Sequence, residues 1–234
     1  MKKIINTIAV TGADDSTSIQ DMVKLQQKYP FIEFAILIKS PTVSRSSFSR
    51  FPCIEWLNKL AEQSHLLNLS MHLCSRPVKD ILDHGVLPDH IANIKYKRIQ
   101  INTHAEPHSY SRMSLYKCFE ENANTTFIFQ LDGVNEHMFT DSIDAGYKNI
   151  AGLYDLSHGA GILPDKWIET PKNGILYGYA GGLSPENVAS QLSKIEKLTD
   201  NTWIDAETYL RTDSKFDLNK VVAFVEASKP WNIL

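Results

Sequence analysis

Short apolar runs along the chain alternate with longer stretches whose apolar residues recur every three or four positions. The runs at 7–12 (TIAVTG), 34–38 (FAILI), 67–74 (LNLSMHLC), 98–104 (RIQINTH), 125–131 (TTFIFQL), 150–156 (IAGLYDL), 175–180 (ILYGYA) and 203–207 (WIDAE) read as strands. Two of them alternate. Leu67, Leu69, Met71 and Leu73 face away from Asn68, Ser70 and His72, and Arg98, Gln100 and Asn102 face away from Ile99 and Ile101. Helical spacing marks 18–29, 53–64, 77–84, 110–122, 136–145, 185–198 and 218–227, with at most a short helix at 164–168. Pro30 stops the first helix and Gly146 closes the fifth. Strand and helix thus alternate about eight times with no hairpin spacing between strands. The pattern predicts an α/β fold, a (β/α)8 TIM barrel formed as one domain over residues 1–234. An open doubly wound sheet is the alternative if the third or fourth run is not a strand.

One stretch interrupts this rhythm informatively. The seventh strand breaks at Gly181-Gly182 and the chain restarts at once as a helix, with Ser184 suited to the cap, Pro185 to the first turn and Glu186 to the positive end of the helix dipole. A strand, a glycine turn and a helix start leave backbone N–H groups pointing outward, a geometry that binds phosphate or carboxylate. A tight turn without a ligand is the alternative reading.

Composition narrows the function classes. The chain has 234 residues, 43% hydrophobic and 22% charged, with a net charge of −3. That profile belongs to a globular domain and carries no basic field to draw nucleic acid or an anionic membrane surface. No apolar run approaches a membrane span, and the apolar part of the N-terminus is too short for a signal peptide. Cys53, Cys74 and Cys118 are odd in number and lack C-x-x-C spacing, which argues against a disulfide framework and for a cytoplasmic location. Apolar residues on the outer helices and Trp231 near the C-terminus are compatible with a homodimer.

Asp155, Gly159-Ala160-Gly161, Asp165-Lys166-Trp167, the run Ala-Gly-Gly-Leu-x-Pro-Glu-Asn-Val at 180–188, Asp205 with Glu207, and 216–221 (FDLNKV) follow one another through the last third of the chain, and Ser40-Pro41 follows the second strand. This order resembles the phosphoribosylanthranilate isomerase family. It implies a phosphosugar-binding barrel that performs an Amadori rearrangement without metal or organic cofactor. It also implies a general acid at Asp155 and half a phosphate cup at Gly181, Gly182 and Leu183, with Gly159 and Gly161 in the preceding loop. Three family features are absent. Thr11 stands where the family has its cysteine base, Thr42 where it has an arginine for the anthranilate carboxylate, and Ala206-Glu207-Thr208 where it has a Ser-Ser-Gly turn. A threonine hydroxyl is too weak an acid to replace the cysteine near neutral pH. Glu207 repels a phosphate unless Arg211 neutralises it, and Arg211 is expected to assist in holding the anion. The chain reads as a divergent relative.

In a barrel the site lies at the carboxyl ends of the strands. The polar residues expected there are Thr11, Asp14, Lys39, His72, Asn102, His104, Gln130, Asp132, Asp155, His158, Asp205, Glu207 and Arg211. Asp14 suits either a second acid–base group opposite Asp155 or a turn residue. Lys39 suits either an amine that holds or attacks substrate or an ion-paired surface lysine. Asn102, His104, Asp132, His158 and Glu207 are candidates for further substrate contacts. The serine- and arginine-rich stretch 42–52 is either a lid over an acidic substrate or a solvated loop. The expected function is an enzyme acting on a small anionic, phosphorylated, sugar-like metabolite by cofactor-free acid–base isomerisation or aldol-type chemistry. The alternatives are a non-catalytic barrel that binds an anion, and a metal-dependent hydrolase using His72, His104 and Asp132.

Overall fold

The protein is described by a computed structural model that covers residues 1–40, 49–103, 105–106, 109–157 and 160–234. Eight parallel strands close into a barrel: β1 (Ile5–Thr11), β2 (Ile32–Ile38), β3 (Leu69–Cys74), β4 (Arg98–Asn102), β5 (Thr126–Leu131), β6 (Ile150–Tyr154), β7 (Leu176–Tyr179) and β8 (Thr202–Ala206). The closing seam pairs β1 with β8, with Ala9 opposite Asp205 and Val10 opposite Ala206. Closure decides between the two architectures the sequence allowed, because an open sheet would leave β1 and β8 as edges.

Seven helices accompany the strands among the described residues: α1 (Ile19–Lys28), α2 (Ile54–Gln63), α3 (Arg76–His84), α4 (Arg112–Glu121), α5 (Glu136–Asp144), α6 (Val188–Ile195) and α7 (Leu218–Ser228). Local chemistry sets several of their ends. The Ser18 side chain accepts from the Asp21 amide at the start of α1, Ser111 accepts from Ser114 at the start of α4, and Asp217 accepts from Asn219 and Lys220 at the start of α7. Gly85 ends α3 in the left-handed conformation at φ 70°.

Three local expectations differ from the structure. The segment 164–168 is not a helix. Its Trp167 is buried instead, donating Nε1–H to Gln191 Oε1 at 3.1 Å and meeting Tyr179 edge to face at 5.5 Å, so one indole covers the barrel where a helix would lie. The helix expected at 185–198 begins only at Val188. Ser184 and Asn187 satisfy each other first: the Ser184 amide donates to Asn187 Oδ1 at 2.9 Å and the Asn187 amide to Ser184 Oγ at 3.3 Å, which stabilises a turn ahead of the helix. A small hairpin, β9 (Arg211–Thr212) with β10 (Lys215–Phe216), stands between β8 and α7 where no element was expected.

The core lies in two layers. The larger sits between barrel and helices and includes Ile8, Phe34, Ile36, Leu60, Phe119, Phe127, Tyr177 and Phe224. The smaller fills part of the barrel interior with Ala9, Ile128, Ala151, Leu153, Ala180 and Trp203. Gly178 is glycine because a Cβ there would fall 2.2 Å from Trp203 Cε2. The rest of the interior is polar. Glu33 and Arg98 form a buried ion pair with Nη2···Oε1 at 2.6 Å, and the Arg98 guanidinium also lies 4.6 Å from the Trp203 ring. Among the described residues no helix is long and apolar enough to cross a membrane.

Candidate functional site

At the carboxyl ends of the strands the interior opens into a cavity of about 250 Å³. Five strands lend it a residue: Leu37 from β2, His72 and Cys74 from β3, Gln100 and Asn102 from β4, Gln130 from β5, and Asp205 with Ala206 from β8. Asp155 and Ser157 come from the turn after β6, and Ala180 to Leu183 from the turn after β7. β1 contributes from behind, because the Thr11 hydroxyl donates to Asp205 Oδ1 at 2.6 Å in a buried contact across the seam. The alternation in β3, β4 and β5 turns Ser70, His72, Gln100, Asn102 and Gln130 inward, which is how a strand pattern becomes a cavity wall.

Hydrogen bonds fix the polar wall. Ser157 donates both its amide and its hydroxyl to Asp155 Oδ1, at 3.1 and 2.6 Å, and Gln130 Nε2 donates to Oδ2 at 3.3 Å. The carboxylate is therefore aimed by its own turn and by β5. Gln100 Nε2 donates to Asn102 Oδ1 at 2.8 Å, and Asn102 Nδ2 donates to Cys74 Sγ at 3.2 Å. Burial raises the Cys74 thiol above its ordinary range, so it stays a neutral wall group.

Two buried groups of the cavity wall depart far from ordinary behaviour. Burial, seconded by the Arg98 charge, lowers His72 to about 3 and keeps the imidazole neutral. Asp205 is pushed up to about 7, first by burial, against the Thr11 hydrogen bond, with the Glu207 and Asp155 charges adding to the rise and Arg98 opposing it.

The glycine turn after β7 has the backbone an anion cup needs. Gly181 and Gly182 both hold positive φ, 97° and 66°. A Cβ on Gly182 would meet Leu163 N at 2.4 Å, so the turn is seated directly under the chain that follows β6. Among the described residues none accepts a hydrogen bond from the amides of Gly181, Gly182 or Leu183, and all three residues line the cavity. The loop after β8 is closed differently. Arg50 Nη1 donates to Glu207 Oε1 at 2.6 Å, so Arg50, and not Arg211, compensates the carboxylate that replaces the family's turn.

Of the residues singled out in the sequence, Asp155, Asn102, Gly161, Gly181, Gly182, Leu183 and Glu207 meet around this cavity. Asp14, Lys39, Asp132 and Arg211 are not in its lining. Arg211 Nη2 donates to fully buried Asp14 Oδ2 at 2.5 Å and Nη1 to the Gly12 carbonyl at 2.7 Å, tying the β1 loop to the β9–β10 hairpin. Ser16 also donates to Asp14, from its amide and its hydroxyl, so the turn reading describes this residue. Lys39 Nζ lies 4.5 Å from the Phe51 ring centroid, behind a ring that lines the cavity. Asp132 accepts from the amides of Val134 and Asn135 in its own turn. His104, His158 and Gly159, and most of the 42–52 stretch, lie outside the described residues. No group of three His, Cys, Asp or Glu side chains among the described residues is placed to hold a metal ion. Sequence reasoning gave no role to Gln100 or Ser157 and no assigned role to Asp205, and took Arg50 only as part of a basic stretch that is either a lid over an acidic substrate or a solvated loop. For Gln100 and Asp205 the inward register of β4 and β8 was the available signal; no local pattern pairs Arg50 with Glu207.

No protein-family model matches the chain, and no curated protein matches it in sequence. Solved structures do match. Phosphoribosylanthranilate isomerase from Pyrococcus furiosus superposes with a TM-score of 0.58 at 14% identity, over 96% of this chain and 98% of that one. The two share a (β/α)8 barrel fold. The enzyme of the same name from Thermococcus kodakaraensis matches with a TM-score of 0.54 at 12% identity, over 96% and 99% of the two chains. 3-Hexulose-6-phosphate synthase from Salmonella typhimurium matches with 0.53 at 9% identity, over 97% and 100%. At these identities the likeness is one of fold.

Proposed function

We propose that the cavity binds a small phosphorylated, sugar-like metabolite and that the chain is an enzyme that rearranges it by cofactor-free acid–base chemistry. The observation that carries the reading is the glycine turn after β7. Gly181, Gly182 and Leu183 line the same cavity as Asp155, and among the described residues none accepts a hydrogen bond from their amides. Amides in such a turn bind a phosphate by charge-assisted hydrogen bonds. The amides and carbonyls of Gln100, Asn102 and Gln130 suit the hydroxyl groups of a sugar, since each side chain both donates and accepts. Asp155 stands where a reacting carbon or its oxygen would exchange a proton. The names of the solved neighbours, an isomerase of a phosphoribosyl compound and a synthase of a hexulose 6-phosphate, agree with this substrate class.

The test is thermal stability with inorganic phosphate, ribose 5-phosphate and unphosphorylated ribose. A ligand present at about 100 times its dissociation constant stabilises a fold by about 2.7 kcal/mol, a shift easily read. The phosphorylated compounds raise the melting temperature and ribose does not. No shift with any of them overturns the reading. Asp155→Asn then separates an enzyme from a non-catalytic anion-binding barrel: in the enzyme it removes turnover and leaves binding, whereas in a binder it changes affinity alone. Gly182→Asp is a poor probe of the cup, because any side chain there collides with the Leu163 backbone before its charge is felt.

A further inference from the structure

We propose that Asp205, steadied by the Thr11 hydroxyl across the β1–β8 seam, is the proton-accepting side chain of this cavity and the partner of Asp155. The inference rests on the reading of the cavity as a phosphorylated-sugar site. The resemblance leaves that site without a base, since Thr11 occupies the cysteine's position. The structure puts a carboxylate one strand away. Asp205 lines the cavity and is 8% exposed, and among the described residues its hydrogen-bond partner is Thr11, on Oδ1. Oδ2 is left for the cavity. Thr11 is a positioning residue: its hydroxyl fixes the carboxylate plane and stabilises the ionised form.

The surroundings suit a group that must gain and lose a proton near neutral pH. Facing Asp205 are Thr11 from β1, Glu207 from the end of its own strand, Asp155 from the turn after β6 and Arg98 from β4; the β7 turn from Ala180 to Leu183 presents no charged side chain. Burial and the two neighbouring carboxylates favour the protonated form, Thr11 and Arg98 the ionised one, and the balance stands at about 7. A general base is most effective with its pKa near the working pH.

The step balances as follows. Asp205 takes a proton from a carbon next to the carbonyl of the bound sugar phosphate. The reacting form of the pair carries one proton, on Asp155, with Asp205 ionised; the C–H electron pair becomes the C=C bond of an enediol, and the carbonyl electron pair moves onto its oxygen, which takes that proton from Asp155. Return of the Asp205 proton to the other carbon, with return of a hydroxyl proton to Asp155, completes an isomerisation without net loss of atoms or electrons.

The experiment incubates the protein with ribose 5-phosphate or ribulose 5-phosphate in D2O and follows carbon-bound deuterium by NMR, with melting shifts as the binding readout. Wild type binds and incorporates deuterium, with a rate that rises through about pH 7 as Asp205 ionises. Asp205→Asn retains binding and loses at least about a hundredfold in exchange. Thr11→Val keeps binding and moves the pH midpoint upward, because the bond that favoured the carboxylate is gone; Thr11→Ser restores it. Absence of any binding by wild type overturns the site reading and this inference with it. Binding without exchange, exchange that survives Asp205→Asn, or a rate that falls as pH rises through 7 overturns the assignment of Asp205 and leaves the site reading standing.

Discussion

The barrel interior has two unlike halves. From β5 to β8 it is filled by Ile128, Ala151, Leu153, Ala180 and Trp203, with Gly178 clearing space for the indole. From β2 to β4 it carries Glu33, Ser70, His72, Arg98 and Gln100, all buried or nearly so. The apolar half is held by close packing, which tolerates little change in volume. The polar half is held by pairing, and its worth depends on every charge keeping its partner. Arg98 joins the two: it is bidentate to Glu33, lies over Trp203, and its charge bears on both His72 and Asp205. The cavity sits on top of this joint. Its unusual proton affinities therefore come from the buried floor as well as from the mouth.

Breaking the polar half at its centre has the largest expected effect. Glu33→Ala leaves Arg98 charged and unpaired in the barrel, and denaturant unfolding should register a loss of about 3–5 kcal/mol. Replacing both partners together, Glu33→Met with Arg98→Leu, should cost far less, and equal losses would show that pairing is not what matters. The apolar half is probed by Gly178→Ala. Its new Cβ would fall 2.2 Å from Trp203 Cε2, and overpacking of this kind costs about 1–3 kcal/mol.

A third comparison sharpens the link between halves and mouth. The folded pKa of Asp205 is raised to about 7 from an ordinary 3.8. Its contribution to stability is thus fully present below about 3.8 and is lost as pH rises through about 7. Asp205→Asn removes that loss. The variant's melting temperature relative to wild type should therefore climb by about 10 °C between pH 4 and pH 8. A constant difference across that range would remove Asp205 as the titrating group. His72 works in the opposite sense, since a depressed pKa gives stability that is present above about 6.5 and lost as pH falls towards 3, and taking the difference between variant and wild type cancels it. The smallest effect is at the rim. Glu207→Gln removes a negative charge beside the glycine turn and should tighten phosphate binding by about threefold, because Arg50 already offsets most of that charge. Phosphate calorimetry reads it directly.

The eight strands were legible because each is a compact apolar run, and the alternation from Arg98 to Asn102 separated the two faces of β4. What escaped was non-local. Nothing near Arg211 in the chain says that its partner is Asp14, and nothing near Glu207 says that Arg50 returns to meet it. Trp167 replaces a helix by packing against residues from β7 and α6. Asp155 and the glycine turn were visible as motifs, whereas the significance of Asp205 depends on burial and on a neighbour, Thr11, that lies at the opposite end of the sequence.

The central claim is that the glycine turn after β7 holds an anion above this divided interior. Titration of isotopically labelled protein with inorganic phosphate, followed by amide NMR, tests it most directly. The account predicts saturable shifts at Gly181, Gly182 and Leu183 that spread to Asp205. The barrel-bottom hollow lined by Lys2, Lys172 and Lys197 offers an internal contrast. Shifts confined to that hollow, or none at the glycine turn at saturating phosphate, would contradict it.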